Sequence, residues 1–501
     1  MDTTKKFFSS ITGEREKRIE WAFVISIVIF TTIVYSFINW QKHIHFQTFG
    51  WDTAVFDQQV YLISIGKTPY SSLHSSLYNL PQVHALTDHF HPLVLIFGAL
   101  LYKIWADPRM LFILQSGIIA LSGIPLYLIA KYLLSKISLP SIGLKTISFS
   151  LMILYLFSVS TQAMTLDEFH DDVLVTLPLL FSLYCILTCR MRWYWILFCI
   201  TLLTKEEYGL LGIPLAFFIA LQKRSLKQAL ATAIVGISTF YLLLYIVMPS
   251  FSGTSQYAHF RAENKPSYII NQLVTHPTLL VSKFLDHPEK RKTFIVSLVS
   301  FGFLPLFSGP AMILPLFSVA IRFFDETTVR RYEFNNHYAS PAISFFAFVS
   351  VISLSYVLSY LIKRKKASPR HIWVPVIVFL LIVLIIQDGL FHGPINSLFK
   401  KSFYETQPFE RDAHELIRKI PPHSPLATQN SLLPHVSQRE HFYLLPEIGN
   451  AQFIAVDLTE GPNKFASSSA IQIERLTNKL IEEKTFTIIW QKNKSILLER
   501  L

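Results

Sequence analysis

The sequence predicts an all-α polytopic membrane protein with a small α/β domain at its C-terminal end. Three observations carry that prediction. Apolar residues fill 51% of the 501 positions and charged residues only 16%, where ordinary globular domains carry about 25% charge. The apolar residues come in long blocks rather than in the short periodic patterns of several soluble cores. Lys and Arg, finally, are shared unequally between the loops that join those blocks.

A spanning helix needs about 20 mostly apolar residues. The first block, Trp21 to Ile38, follows a cytoplasmic N-terminus, residues 1–20, bearing Lys5, Lys6, Arg15, Lys17 and Arg18. Its length marks it as a retained anchor, as do bulky Phe37, Ile38 and Trp40 where a signal peptide needs small residues. Ten more blocks follow at 109–131, 146–162, 172–189, 193–204, 208–221, 228–248, 293–307, 311–323, 341–361 and 372–388, making eleven predicted transmembrane helices within 21–388. Internal Pro125, Pro178, Pro305 and Pro315 are compatible with membrane helices, whose neighbours satisfy the freed backbone groups.

Residues 39–108 form a long first outer loop. It holds a short helix from Val55 to Gly66 and an apolar interfacial helix from Pro92 to Trp105. With the N-terminus inside, the inner segments hold 18 Lys and Arg, while outer segments more than twice as long hold 11. That asymmetry follows the positive-inside rule, although Lys290-Arg291-Lys292 falls on the outer side. Much of the net charge of +12 is therefore a topology signal, and no nucleic-acid partner is implied. An odd helix count puts the tail, 389–501, outside the cell membrane. There the apolar blocks give way to strand-like runs at 453–456, 486–490 and 495–498, between helical stretches at 409–420 and 467–483, the pattern of a small α/β domain.

Cys185, Cys189 and Cys199 all lie in apolar blocks and read as packing residues, not as a disulfide or zinc framework. No Walker loop, GxGxxG or HExxH motif is present. The sparse charges of the membrane part gather on the outer face. Asp52 and Asp57 stand five apart around a helix start, where one could simply cap the helix. Asp167, Glu168, Asp171 and Asp172 form a second acidic motif, Asp167-Glu168-Phe169-His170-Asp171-Asp172, whose mutual repulsion requires a cation, a basic partner or proton sharing unless it is a solvated loop. Lys205-Glu206-Glu207 lies between two apolar runs, where charge is costly and each group needs an outside partner unless the turn is wet. His89, His91 and His337 join the same face, with Arg261, Arg330 and Arg331 as candidate phosphate clamps. Asp88-His89-Phe90-His91 is not a standard ligand spacing, so no metal site is assigned.

These residues carry a resemblance. Trp51-Asp52-Thr53-Ala54-Val55-Phe56-Asp57-Gln58, His89-Phe90-His91-Pro92-Leu93, Gln115, Pro125-Leu126-Tyr127, Asp167 to His170, Lys205 to Gly209, Asn336-His337-Tyr338 and Leu433 to Arg439 resemble a prokaryotic family of predicted membrane proteins labelled domain of unknown function 2079. That family is distantly similar to the GT-C glycosyltransferases, which use polyprenyl-phosphate sugars. The resemblance implies a GT-C-like fold and a catalytic base at Asp52 or Asp57, with the 167–172 cluster as second acidic element. Thr53 and Gln58 follow the two aspartates where the GT-C pattern puts a second acid.

The expected function is then inverting sugar transfer at the outer face, from a polyprenyl-phosphate-linked donor to an unknown glycan, lipid or protein acceptor. No cofactor is firmly implied, with a divalent metal as the minor alternative. Two other classes stand beside this reading: a transporter or lipid-handling protein without covalent chemistry, and a non-catalytic envelope-assembly protein.

Overall fold

The computed structural model describes residues 2–223, 225–255, 271, 275–276, 278–324, 328–364 and 368–501. Every apolar block of the sequence is largely helical in its described part, but the helices are of two kinds. Among the described residues, five are long and apolar enough to cross a membrane: Glu14–Ile44, Arg109–Leu134, Leu226–Ser252, Val329–Lys363 and Trp373–Phe391. A bent pair, Ser141–Phe157 and Val159–Thr165, meets at 46° and would make a sixth.

The expected count of eleven spans is not confirmed by length and composition, because several of the blocks form short helices. Thr176–Leu187, Met191–Leu202, Gly212–Leu221, Pro288–Val299 and Ile313–Phe324 hold only 10 to 12 residues each. At 1.5 Å rise per residue, 12 residues reach about 18 Å, against a hydrocarbon core of roughly 30 Å. The breaks fall where the sequence carries charge or rigid residues. Tight 3₁₀ turns occupy Asp171–Val175, Glu206–Leu211, Leu304–Phe307 and Gly309–Met312.

Burial separates the helices that make the centre from those that face lipid. Two thirds of the apolar window of Val329–Lys363 is buried, with Phe345, Phe346 and Phe348 wholly enclosed, but only 17% of that of Trp373–Phe391. Apolar side chains such as Ile385 and Leu390 stand outward on the latter, an arrangement that suits a lipid environment. The bend at Ser158 is satisfied internally. Gln387 Oε1 accepts the Val159 N–H at 3.0 Å, and Gln162 Nε2 donates to the Phe157 carbonyl at 2.8 Å. A closer approach occurs where Leu226–Leu242 crosses the Glu206–Leu211 turn. A Cβ on Gly209 would lie 2.5 Å from the Gly236 carbonyl, so only glycine lets the turn seat.

The first loop continues from the Asp2–Ile44 helix into a π-turn, Gly50–Ala54, the Val55–Ser64 helix and an antiparallel pair, β1 (Tyr70–Ser71) and β2 (Val83–His84). Phe49, not Asp52, is the residue preceding the first turn, so Asp52 is not a cap. The Pro92–Tyr102 helix follows.

The tail carries a five-stranded sheet ordered β4-β3-β5-β7-β6. Its strands are β3 (Leu426–Thr428), β4 (Phe442–Leu444), β5 (Phe453–Asp457), β6 (Phe486–Lys492) and β7 (Ser495–Arg500). β3 runs parallel to β4 and β5, whereas β7 is antiparallel to both β5 and β6. Helices Pro408–Lys419 and Ala470–Glu482 pack beside it. The tail sits directly on the first loop: Asn430 Oδ1 accepts the Gly50 N–H at 2.9 Å, and His45 meets Glu410 at 3.0 Å.

Candidate functional site

Three chain segments that end or interrupt apolar helices converge on one buried ionic network. Gln115, inside the Arg109–Leu134 helix, sets the first of them. Its Nε2 donates to the Thr165 and Glu168 carbonyls at 2.6 and 2.7 Å, and its Oε1 accepts the His170 N–H at 2.7 Å. Lys42 adds bonds to the Leu166 and Asp167 carbonyls. The acidic segment is thus held by backbone bonds, leaving its side chains for other work.

His170 is the hub. Its Nδ1 lies 2.7 Å from Asp171 Oδ1 and 2.8 Å from Asp172 Oδ2, and its Nε2 faces Asp52 Oδ1 at 3.8 Å. Lys205, wholly buried, reaches Asp172 at 2.9 Å and Asp171 at 3.8 Å. Tyr208 donates its hydroxyl to Asp172. The His337 ring stacks on His170 with centroids 3.2 Å apart, its Nε2 3.7 Å from Asp172 and its Nδ1 3.7 Å from Asp167. His91 completes the far side, with Nδ1 3.5 Å from Asp171 and Nε2 3.1 Å from Gln59.

Several of these contacts are close without being aligned hydrogen bonds. His91 Nδ1, His170 Nδ1, both Asp171 oxygens and His337 Nε2 are buried polar atoms with no directed partner. The network is therefore held by charge. His170, Asp172 and His337 offer ligand atoms within 4.8 Å of one another, the set that a divalent ion would use among the described residues. Lys205 already stands as a cation beside Asp172, so an ion there would compete with it.

Charge compensation shows in the proton affinities. Burial alone would lower His170, but Asp171 and Asp172 outweigh it and push the imidazole up to about 9. For Lys205, burial is likewise overcome by Asp171 and Asp172, so the ammonium is kept well above its ordinary range. Glu168 moves the other way. Burial, then the charges of Asp52 and Asp167, raise it strongly, although it accepts hydrogen bonds from Phe49 N–H and Thr53 Oγ1, both at 2.8 Å.

A pH dependence follows from His170. Its folded value exceeds the ordinary ~6.5, so the stabilisation is complete below that pH and is lost as pH rises through about 9. Thermal unfolding of the detergent-solubilised chain is expected to show Tm falling over that window. In His170→Gln the fall should flatten. A wild-type Tm indifferent to pH there would contradict a charged His170.

A second ionic group forms an adjoining wall. Glu206 accepts the Phe90 N–H at 2.8 Å and meets His89 Nδ1 at 3.0 Å, while Asp88 takes Tyr78 at 2.5 Å and His74 at 3.2 Å. Glu207 pairs with Arg331 at 3.3 Å, and the Arg331 guanidinium lies over the Tyr338 ring. Arg330 is exposed beside this wall, its charge favoured by Asp52, Asp167 and Glu168 once burial is overcome.

The structure thus brings Asp52, Asp167, Glu168, Asp171, Asp172, His91, Lys205 and His337 together, with His89, Glu206, Arg330 and Arg331 alongside. Asp57 is elsewhere. On the opposite side of its helix, it accepts Tyr102 at 2.6 Å, Ser437 at 2.5 Å and Gln438 at 3.1 Å. Burial raises its carboxyl to about 6 despite those three donors. Arg261 lies outside the described residues. Sequence reasoning left His170 out of the site although it stands between the acids, and gave no role to Lys42, Tyr208 or Tyr338. The signal was available for His170: an imidazole flanked by four carboxylates with no nearby Lys or Arg in sequence.

The sequence matches the family described as predicted membrane protein (DUF2079) over residues 42–497. The chain belongs to that family. No protein of curated function matches it. In structure, this DUF2079 protein is similar to ArnT from Cupriavidus metallidurans, solved bound to undecaprenyl phosphate, with a TM-score of 0.54 and 11% identity over 96% of this chain and 98% of that one. A weaker likeness, TM-score 0.40 and 11% identity, covers 96% of this chain and 74% of the archaeal oligosaccharyltransferase AglB from Archaeoglobus fulgidus, in complex with an inhibitory peptide and a dolichol-phosphate. The likeness to ArnT, a GT-C glycosyltransferase, gives this DUF2079 chain a GT-C-like fold.

Proposed function

We propose that this DUF2079 protein transfers a sugar, with inversion, from a polyprenyl-phosphate donor to a hydroxyl acceptor, using Asp52 as general base. The observation that carries the reading is the position of Asp52. Its side chain is 15% accessible and faces His170, the hub of the network, at 3.8 Å, while Asp171 and Asp172 are fully enclosed; Asp167, 27% accessible, instead lies 3.7 Å from His337. The acceptor O–H gives its proton to the Asp52 carboxylate as its oxygen bonds to the anomeric carbon. The bond from that carbon to the donor phosphate breaks, and polyprenyl phosphate leaves with the electron pair. Arg330, and Arg331 behind it, stabilise the developing phosphate charge. Asp171, Asp172, Lys205, His170 and His337 form the fixed electrostatic floor.

The GT-C-like fold and the polyprenyl phosphate held by ArnT support a lipid-linked donor. In this reading the 3₁₀ turns Asp171–Val175 and Glu206–Leu211 extend short neighbouring helices into the membrane, so that the eleven blocks act as spans. The N-terminus is then cytoplasmic, and the tail from 389 onward is an extracytoplasmic domain lying over the first loop.

Membranes containing the chain, supplied with labelled polyprenyl-phosphate sugar and an envelope extract as acceptor, are expected to release polyprenyl phosphate in proportion to the amount of chain. The product should have the anomeric configuration opposite to that of the donor. An intact donor, or retained configuration, would overturn the proposal.

A further inference from the structure

Phe56 and Asp57 are neighbours on the Val55–Ser64 helix and serve different places. Phe56 packs on His91 and His170, with ring centroids at 5.3 and 5.4 Å. Asp57 instead lines a separate cavity of about 450 Å³ between the first loop, the start of the Arg109–Leu134 helix and the tail. Its polar lining includes His43, Asp57, Asp107, Arg109, His435 and Arg439.

The two acids of that region are already committed. Asp107 takes Arg109 at two points, 2.6 and 2.5 Å, and Asp57 accepts three donors. Arg439 has no such partner. Only 5% exposed, it donates Nε to the Val436 carbonyl at 2.5 Å and Nη1 to the Ser424 carbonyl at 2.6 Å, and it makes no ion pair among the described residues. Burial with no compensating charge holds its guanidinium down to about 10. A buried cation without an anion is costly. Beside it, His435 Nε2 is buried with no hydrogen-bond partner, while its ring stacks on His43 at 4.0 Å. Asp57 and Asp107 line the same cavity but neither pairs with Arg439, so Arg439 Nη2 and His435 Nε2 are left without a directed partner among the described residues.

The setting indicates where an anion for Arg439 comes from. Arg109 stands at the end of an apolar helix with its guanidinium 4.8 Å over Trp40 and 4.6 Å over Trp105, the aromatic pairing typical of a membrane–water interface. We infer that this seam cavity binds a phosphate-bearing headgroup, gripped by the free face of Arg439 with the unpartnered His435 Nε2 beside it. The site is distinct from the acidic network and does not depend on the transferase reading.

Calorimetric titration of the full chain in neutral detergent with inorganic phosphate is the first arm. The second compares phospholipid phosphorus retained after extraction from nanodiscs of phosphatidylcholine alone and of phosphatidylcholine mixed with phosphatidylglycerol. Saturable phosphate binding identifies a soluble phosphate. Retention that requires phosphatidylglycerol, without phosphate binding, identifies a membrane lipid.

In whichever arm is positive, Arg439→Gln should weaken binding at least ~10-fold, one charge-assisted contact of about 1.5–3 kcal/mol. Arg439→Lys should recover part of it. His435→Gln, which leaves the guanidinium and its two backbone bonds in place, gives an independent reading if Arg439→Gln does not fold. Both arms negative, or His435→Gln and Arg439→Lys binding as wild type does, would overturn the inference.

Discussion

Replacing Lys205 by Met is expected to destabilise the chain by roughly 3–5 kcal/mol, the usual consequence of removing one partner from a buried ion pair. Asp171 and Asp172 are wholly enclosed, and without Lys205 the cation left close to both among the described residues is His170. Two carboxylates against one imidazolium leave a net buried charge, and the apolar methionine offers no donor to replace the 2.9 Å contact. The variant should accumulate poorly or unfold at a much lower temperature in detergent. Acidification should recover part of the loss, because protonating one aspartate removes the surplus charge. Lys205→Met with wild-type stability at neutral pH would show that Lys205 is not the neutralising group.

The second large effect separates two aspartates that look alike in sequence. Asp52→Asn is expected to lower sugar transfer by ~10²–10⁴-fold, the range for loss of general-base help, with little change in stability because Asp52 is partly exposed. Asp57→Asn should leave transfer within about tenfold of wild type, since its carboxyl faces the tail rather than the network. Its consequence is mechanical: a carboxamide in place of the Asp57 carboxylate cannot accept all three donors from Tyr102, Ser437 and Gln438. Limited proteolysis should then cut the tail junction faster. If transfer survives in Asp52→Asn and collapses in Asp57→Asn, the base is Asp57 and the network has a different task.

Much of the fold was legible because apolar block length and charge placement are local properties. The blocks at 109–131, 341–361 and 372–388 correspond to Arg109–Leu134, Ser340–Lys363 and Trp373–Phe391. In the tail, β5, β6 and β7 formed where branched and aromatic runs were read, whereas β3 and β4, three residues each, were too short to leave a pattern. The span count was not legible. Hydropathy does not register that Asp171-Asp172 and Glu206-Glu207 begin 3₁₀ turns, which shorten the helices that follow.

At the site, sequence identified which charges were expensive but not how they pair. Lys205 and Asp172 are 33 residues apart, and His337 reaches the network from another 132 residues on. The separation of Asp52 from Asp57 was equally hidden, because a spacing of five cannot say which face of a helix meets the tail.

The Trp373–Phe391 helix is apolar on nearly every side, so lipid would accept it at any rotation about its axis. Leu380, Val383 and Gln387 are nonetheless its buried residues, and Gln387 alone among them makes a directed bond. Turning the helix by one residue, about 100°, would carry that amide away from Val159 and strand both groups in hydrocarbon. A single glutamine therefore acts as an angular index mark. It fixes the azimuth of the last long helix, and with it the direction in which the chain leaves toward the tail.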